Sequence, residues 1–241
     1  SLVPKDISDI LKLPEMKDED KMACMKIMGI LAYSAFFLEK GREFILVSLE
    51  MMRFTLRFGL SAMSTQAVGT FGMIKTFVGR YDDGFAFGRL AMHLLETTKS
   101  QEVGARTILV VCCYTNHWKM PLDTLVAPLY RAYTNGLATS EIGTGLLAAY
   151  NRIMVLGSIG TPLDQMDDEI LAIEELCFEF KQDGIKTMLA PTHQAVLNFQ
   201  GRSTFPMILT GTIMDQVAFR WPPALETQRR DLGRRSRRGF V

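Results

Sequence analysis

Apolar positions along the chain fall into two alternating textures. Residues 22–38, 62–78, 103–118 and 142–160 are almost uncharged, and each stretch holds one basic residue: Lys26, Lys75, Arg106 and Arg152. Their starts recur about every forty residues. Between them the apolar residues step by three and four, the period of a helix with one buried stripe. Over residues 162–183 that stripe is Leu163, Met166, Ile170, Ile173, Cys177 and Phe180, and the opposite side carries Asp167, Asp168, Glu175, Glu179 and Gln182. Thr161 is the expected N-cap there, Pro162 the first helical residue and Gly184 the left-handed stop. The same stripe is formed by Ile45, Leu49, Met52 and Leu56, ending near Gly59, and by Phe87, Leu90, Ala91, Leu94 and Leu95. It returns at Leu122, Leu125, Leu129 and Tyr133, ending near Gly136. Apolar–polar alternation is nearly absent, and the β-branched run at 107–111 sits inside a helical stretch, so strands are not expected.

An uncharged helix alternating with an amphipathic one is what stacked helical hairpins require. One helix of each pair is sandwiched by neighbours, and the other buries a stripe and shows water its remaining face. Small residues in the uncharged stretches (Gly69, Gly72, Gly104, Gly143, Gly145, Ala148) permit close helix approach. The expectation is an all-α chain, an αα-hairpin solenoid resembling a tetratricopeptide superhelix, of about eight or nine helices. Its period exceeds the usual repeat of about thirty-four residues. Residues 1–21 read as a lead-in, 22–216 as the repeat domain and 217–241 as a distinct tail. The uncharged runs approach the lower length for spanning a membrane, but each contains a charge and lacks aromatic and basic flanks, so buried solenoid helices are the preferred reading.

Charge separates the tail from the body. The 241 residues hold 27 Lys and Arg against 26 Asp and Glu. Seven of the basic groups are arginines between 220 and 238, opposed by Glu226 and Asp231, so the tail is strongly basic and the remainder mildly acidic. The near-neutral total argues against a dedicated nucleic-acid binder, although the tail has the composition to bind polyanions weakly. A disordered terminus or a shifted reading frame is preferred for the tail over a functional basic arm. The first residues, Ser-Leu-Val-Pro, give no signal peptide, and the chain reads as a section of something longer. Four cysteines without a framework suit a reducing compartment, and a cytoplasmic location is expected.

Catalytic motifs are not apparent. The segment nearest to a phosphate loop, Gly69-Thr70-Phe71-Gly72-Met73-Ile74-Lys75, has the wrong spacing and lies in a helix. Kinase, nucleophile-elbow and zinc-protease signatures are missing. His93, His117 and His193 lie far apart, so no metal is expected, and no cofactor or catalytic residue is assigned. Cys112-Cys113 reads as two small apolar residues of a buried helix. The acidic cluster Asp167, Asp168, Glu169, Glu174 and Glu175 reads as a solvated face. The most informative spot is Asn116-His117-Trp118, which ends an apolar helix just before Pro121. Its preferred reading is a helix end with Trp118 packed under the turn and His117 by the free carbonyls. The functional alternative is an interaction patch of Arg89, Asn116, His117, Trp118, Arg131 and Tyr133.

Four segments together resemble a known family. They are residues 84–91 (Gly-Phe-Ala-Phe-Gly-Arg-Leu-Ala), Asn116-His117-Trp118 with Pro121-Leu122, Leu129-Tyr130-Arg131-Ala132-Tyr133 with Gly136-Leu137, and Leu209-Thr210-Gly211. They resemble the helical repeat region of the large multidomain AAA/STAND-type signalling ATPases, which carry kinase-like, GAF or histidine-kinase domains elsewhere. The resemblance covers roughly residues 22–216 and departs at Val217. It implies a non-catalytic scaffold or regulatory module that binds protein partners, other domains of a parent chain or an inducer. No nucleotide-binding position carries over, because those residues lie in a domain outside this sequence. An incomplete repeat end would favour self-association. The competing reading is an all-α small-ligand binder or enzyme with a pocket near Arg89, His117 and Arg131.

Overall fold

The computed structural model describes residues 6–98 and 100–216, and among them it contains nine α-helices and no β-strand. In chain order these are α1 (Glu19–Phe37), α2 (Gly41–Phe58), α3 (Ala62–Phe77), α4 (Tyr81–Thr98), α5 (Gly104–Tyr114), α6 (Val126–Ala138), α7 (Ile142–Ser158), α8 (Leu163–Glu179) and α9 (Asp183–Phe199). Short 3₁₀ turns occupy Ile7–Lys12, Asn116–Trp118 and Leu122–Leu125. The basic tail at 217–241 lies outside the described residues.

The forty-residue period is written into the helix ends. α1, α3, α7 and α9 each stop at one left-handed residue, Glu39, Gly79, Gly160 or Gly201, with φ of 57°, 81°, 82° and 74°. In each case the next N–H reaches back across the cap. Lys40 N donates to Ala35 O at 2.8 Å, Arg80 N to Lys75 O at 2.9 Å, Thr161 N to Leu156 O at 3.1 Å and Arg202 N to Leu197 O at 2.9 Å. This pairing satisfies the orphan carbonyls of the last turn and reverses the chain into the next helix. α5 departs from the pattern: its chain passes through the turns at Asn116–Trp118 and Leu122–Leu125 before α6 begins.

Two compact units are present, one ending at Lys186 and one starting at Thr187. In the first, successive hairpins stack, with α1 against α2 and α3, α3 against α4 and α5, and α5 against α6 and α7. Every residue of α3 from Met63 to Met73 is buried, as a sandwiched helix requires. One apolar cluster joins Met25, Met51, Met63, Met73, Leu129 and Ala148, and another gathers Ile10, Met52, Val68, Phe87, Leu90 and Val111. In the second unit, buried Gln194 and Asn198 of α9 latch the loop that follows. Asn198 Nδ2 donates to Ile208 O at 2.8 Å and to Pro206 O at 3.2 Å, while Ile213 N donates to Gln194 Oε1 at 3.1 Å. A side chain on Gly211 would collide with the Gln194 amide, which explains the glycine in Leu209-Thr210-Gly211.

Several boundaries differ from those expected. α8 starts at Leu163 with Pro162, not Thr161, as its cap residue. Its left-handed stop is Lys181, φ 54°, because Gln182 N bonds Cys177 O at 2.8 Å and closes the cap three residues before Gly184. Gly184 instead lies inside α9. Gly136 lies inside α6 rather than at its end. α9 ends at a left-handed glycine, Gly201, as α7 does at Gly160, and its helix is hidden from the composition by Lys186, Pro191 and His193.

Candidate functional site

Three of the lone basic residues in the uncharged helices, Lys26, Arg106 and Arg152, find counter-charges on other elements. Lys26 pairs with Glu102 at 3.0 Å on the surface, and the Lys75 ammonium lies 5.0 Å from the Phe71 ring centre. Arg152 on α7 forms a two-pronged pair with Glu169 on α8, one bond being Nη2 to Oε1 at 3.0 Å. Arg106 on α5 grips Glu141 at the start of α7, Nε to Oε2 at 2.8 Å and Nη2 to Oε1 at 2.5 Å. Both partners are 20% exposed, so solvent screens this pair only partly.

Arg106 also lines a cavity. Its guanidinium lies 4.4 Å from the ring centre of Tyr33 on α1, and the Tyr33 hydroxyl sits 3.3 Å from Thr144 Oγ1 on α7. Together with Glu141, Phe180 and Gln182 these residues line a cavity of about 420 Å³. Three hairpins therefore converge on one polar recess. The Glu141 carboxylate neutralises Arg106, so the recess suits neutral or zwitterionic polar groups better than a bare anion. Sequence reading did not assemble this group. Its only signal was one arginine inside an apolar helix.

A second cavity, about 170 Å³, is largely apolar and is walled by Cys112, His117, Leu125, Leu129, Met154 and Val155. Burial pushes the His117 pKa down, and a backbone hydrogen bond with Cys112 opposes that shift. His117 Nδ1 is buried without a hydrogen-bond partner. The Cys112 thiol is pushed up to about 12 by burial, and burial also raises that of Cys113. Neither is a thiolate at neutral pH, and both are free, as expected of packing cysteines.

The Asn116–Trp118 turn separates its three residues. Asn116 is buried, 3.3 Å from Thr115 Oγ1, beneath Gly88 of α4, where a Cβ would come within 3.2 Å of its Oδ1. His117 walls the apolar cavity. Trp118, expected beneath the turn, is 53% exposed and packs against Tyr81 with ring centres 4.8 Å apart. Asn116 takes the inward position of this single 3₁₀ turn, which leaves Trp118 facing out. Arg89 and Arg131 are exposed and do not line the cavity at His117, although Arg131 acts electrostatically on Cys112. Tyr133 is half-buried beside Tyr130, with ring centres 6.0 Å apart. The acidic cluster is not uniformly solvated either: Asp167 is buried and Glu169 is bound to Arg152.

No protein-family model matches the chain, and no solved structure matches it. The chain is similar to Hybrid signal transduction histidine kinase G of Dictyostelium discoideum, 26% identical over 194 residues. That alignment takes in 78% of this chain and 5% of the relative. The chain therefore spans about 5% of the length of the curated relative it matches. Its similarity is to one short part of a large signalling protein. Among the described residues no helix is long and apolar enough to cross a membrane, and no group of three or more metal-ligating side chains gathers.

Proposed function

We propose that this chain is a non-catalytic helical-repeat module of a multidomain cytoplasmic signalling protein, of the AAA/STAND type its segments resemble. Its role is to scaffold or regulate, by binding a protein partner, a neighbouring domain or an inducer. The observation that carries this reading is the likeness to a hybrid histidine kinase over 78% of the chain, on a stack of hairpins. The polar recess at Tyr33, Arg106 and Glu141 supports it, because residues from three hairpins meet there and a ligand would bridge them. The test has two arms. A fluorescent ATP analogue should show no saturable binding to the full chain. Deleting the matching segment from the Dictyostelium protein should leave its kinase activity measurable but change how that activity is regulated. Saturable nucleotide binding, or a deletion without effect on regulation, would overturn the proposal.

A second reading rests on the apolar cavity at His117. Its volume suits a small aromatic molecule, which would make the chain a small-ligand binder. Saturable stabilisation by indole or phenol, lost in Leu129→Trp, supports that reading. An unchanged melting temperature at millimolar ligand removes it.

A further inference from the structure

α1, α3 and α7 turn almost directly into the next helix, whereas α5 reaches α6 through residues 115–125, which include two 3₁₀ turns. The cavity of about 170 Å³ lies between these turns and helices α5, α6 and α7. A dry apolar space of about 150 Å³ takes up one benzene ring. Leu125, Leu129, Met154 and Val155 give this cavity the walls for such a ring. Its lining also holds an unmet demand for a hydrogen bond, because His117 Nδ1 is buried and has no partner. A neutral imidazole carries its one proton on the nitrogen that can share it, so the proton belongs on Nε2 and Nδ1 is left an acceptor. The other polar side chains of the lining do not serve it. Ser158 Oγ donates to Met154 O and Asn151 Nδ2 donates to Leu147 O, each at 2.8 Å. Trp118 lies against the imidazole with ring centres 4.8 Å apart. Burial lowers the His117 pKa, which keeps the ring neutral at pH 7.5.

We infer that this cavity takes one neutral single-ring aromatic molecule bearing a hydroxyl or N–H, and that His117 Nδ1 accepts the hydrogen bond from that group. The inference rests on the small-ligand reading given above and adds the residue that selects the ligand. An apolar cavity without an acceptor discriminates against a phenol, because a hydroxyl buried without a partner loses the hydrogen bond it had in water. Bonded to Nδ1 it keeps one, and the same bond satisfies the nitrogen that is otherwise left bare. Hydroxyl and acceptor therefore answer each other, while the leucine, methionine and valine walls hold the ring.

Calorimetric titration of the full chain with phenol and with benzene, the same ring without its hydroxyl, tests this at pH 7.5. Both should bind the wild type. His117→Leu, which keeps the bulk and removes the acceptor, should lower the ratio of phenol to benzene affinity by about tenfold. A second measurement uses the unaltered chain. In ¹H–¹⁵N spectra of histidine-labelled protein, the His117 Nδ1 resonance, identified by its loss in His117→Leu, should move with phenol and stay in place with benzene. An unchanged affinity ratio, or an Nδ1 resonance that phenol does not move, would overturn the role of His117 while the small-ligand reading stands. If neither molecule binds, the inference and that reading fall together.

Discussion

A Cβ placed on Gly136 would lie 2.5 Å from the Cα of Gly145, so α6 and α7 cross backbone to backbone with nothing between them. The α3–α4 hairpin uses the same device, where a Cβ on Gly72 would lie 2.9 Å from Gly84 O. The first crossing joins the α5–α6 hairpin to the α7–α8 hairpin, and the second lies within the α3–α4 hairpin. Small residues thus bring helices together both within a hairpin and between successive ones.

Because the obstructing atoms at Gly136 are backbone, the neighbour cannot rotate away. Gly136→Ala should destabilise the fold by about 1–3 kcal/mol, despite alanine's better helix propensity. Gly184→Ala, where nothing lies within 4 Å of the added Cβ, should be neutral or stabilising by about 0.5–1 kcal/mol. Urea midpoints of the two variants check the contrast. Equal midpoints would mean that α6 and α7 do not meet at this glycine.

Arg106 and Glu141 form an ion pair whose partners come from different hairpins, with the guanidinium against Tyr33. A double-mutant cycle of Arg106→Ala and Glu141→Ala should give a coupling of about 1–3 kcal/mol, above the usual value for surface pairs. Arg106→Lys should recover only part of it, because an ammonium cannot form the fork or stack on the ring. A coupling below about 0.3 kcal/mol would show the pair to be solvent-screened.

The architecture was largely legible in the sequence, because alternating charge content reports directly on which helices are sandwiched. Local geometry was less so. Gly136 and Gly184 look like helix stops, since glycine serves both as a left-handed cap and as a spacer between crossing helices, and only the neighbour distinguishes the two. Lys181 takes the cap position without any compositional sign. Trp118 and Asp167 were assigned to the wrong sides: bulk argued for burying the first and charge for exposing the second. Each is set by the rotation of a single turn, which a periodicity of three and four residues leaves undetermined. The polar recess at Arg106 and Glu141 joins residues thirty-five apart to Tyr33, a convergence that only the stacking reveals.

Among the four cysteines, Cys24 is exposed on α1, and burial lifts the other three thiols, Cys112 to about 12 and Cys177 to about 11. Thiolate is the reactive form, so only Cys24 should label quickly with a disulfide reagent at pH 7.5. The remaining three should react at the rate of unfolding, and together once urea is added. Rapid labelling of two or more thiols in the folded chain would contradict the packing of α5 and α8.

His117 should make the chain less stable in mild acid. Burial lowers its folded pKa below the unfolded value of about 6.5, so as pH falls the unfolded chain takes up a proton first. The stabilising preference for neutral imidazole is intact above about pH 6.5 and is progressively lost as pH drops below it towards the folded pKa. Part of the ring is solvent-exposed, which makes the effect smaller than for a fully buried histidine. Urea midpoints measured from pH 8 to 5 should fall in the wild type and fall less in His117→Gln, and the difference between the two curves isolates this residue from His93 and His193. Parallel curves would show that His117 titrates alike in the folded and unfolded chain, and that the wall it forms beside Leu129 and Met154 is open to water.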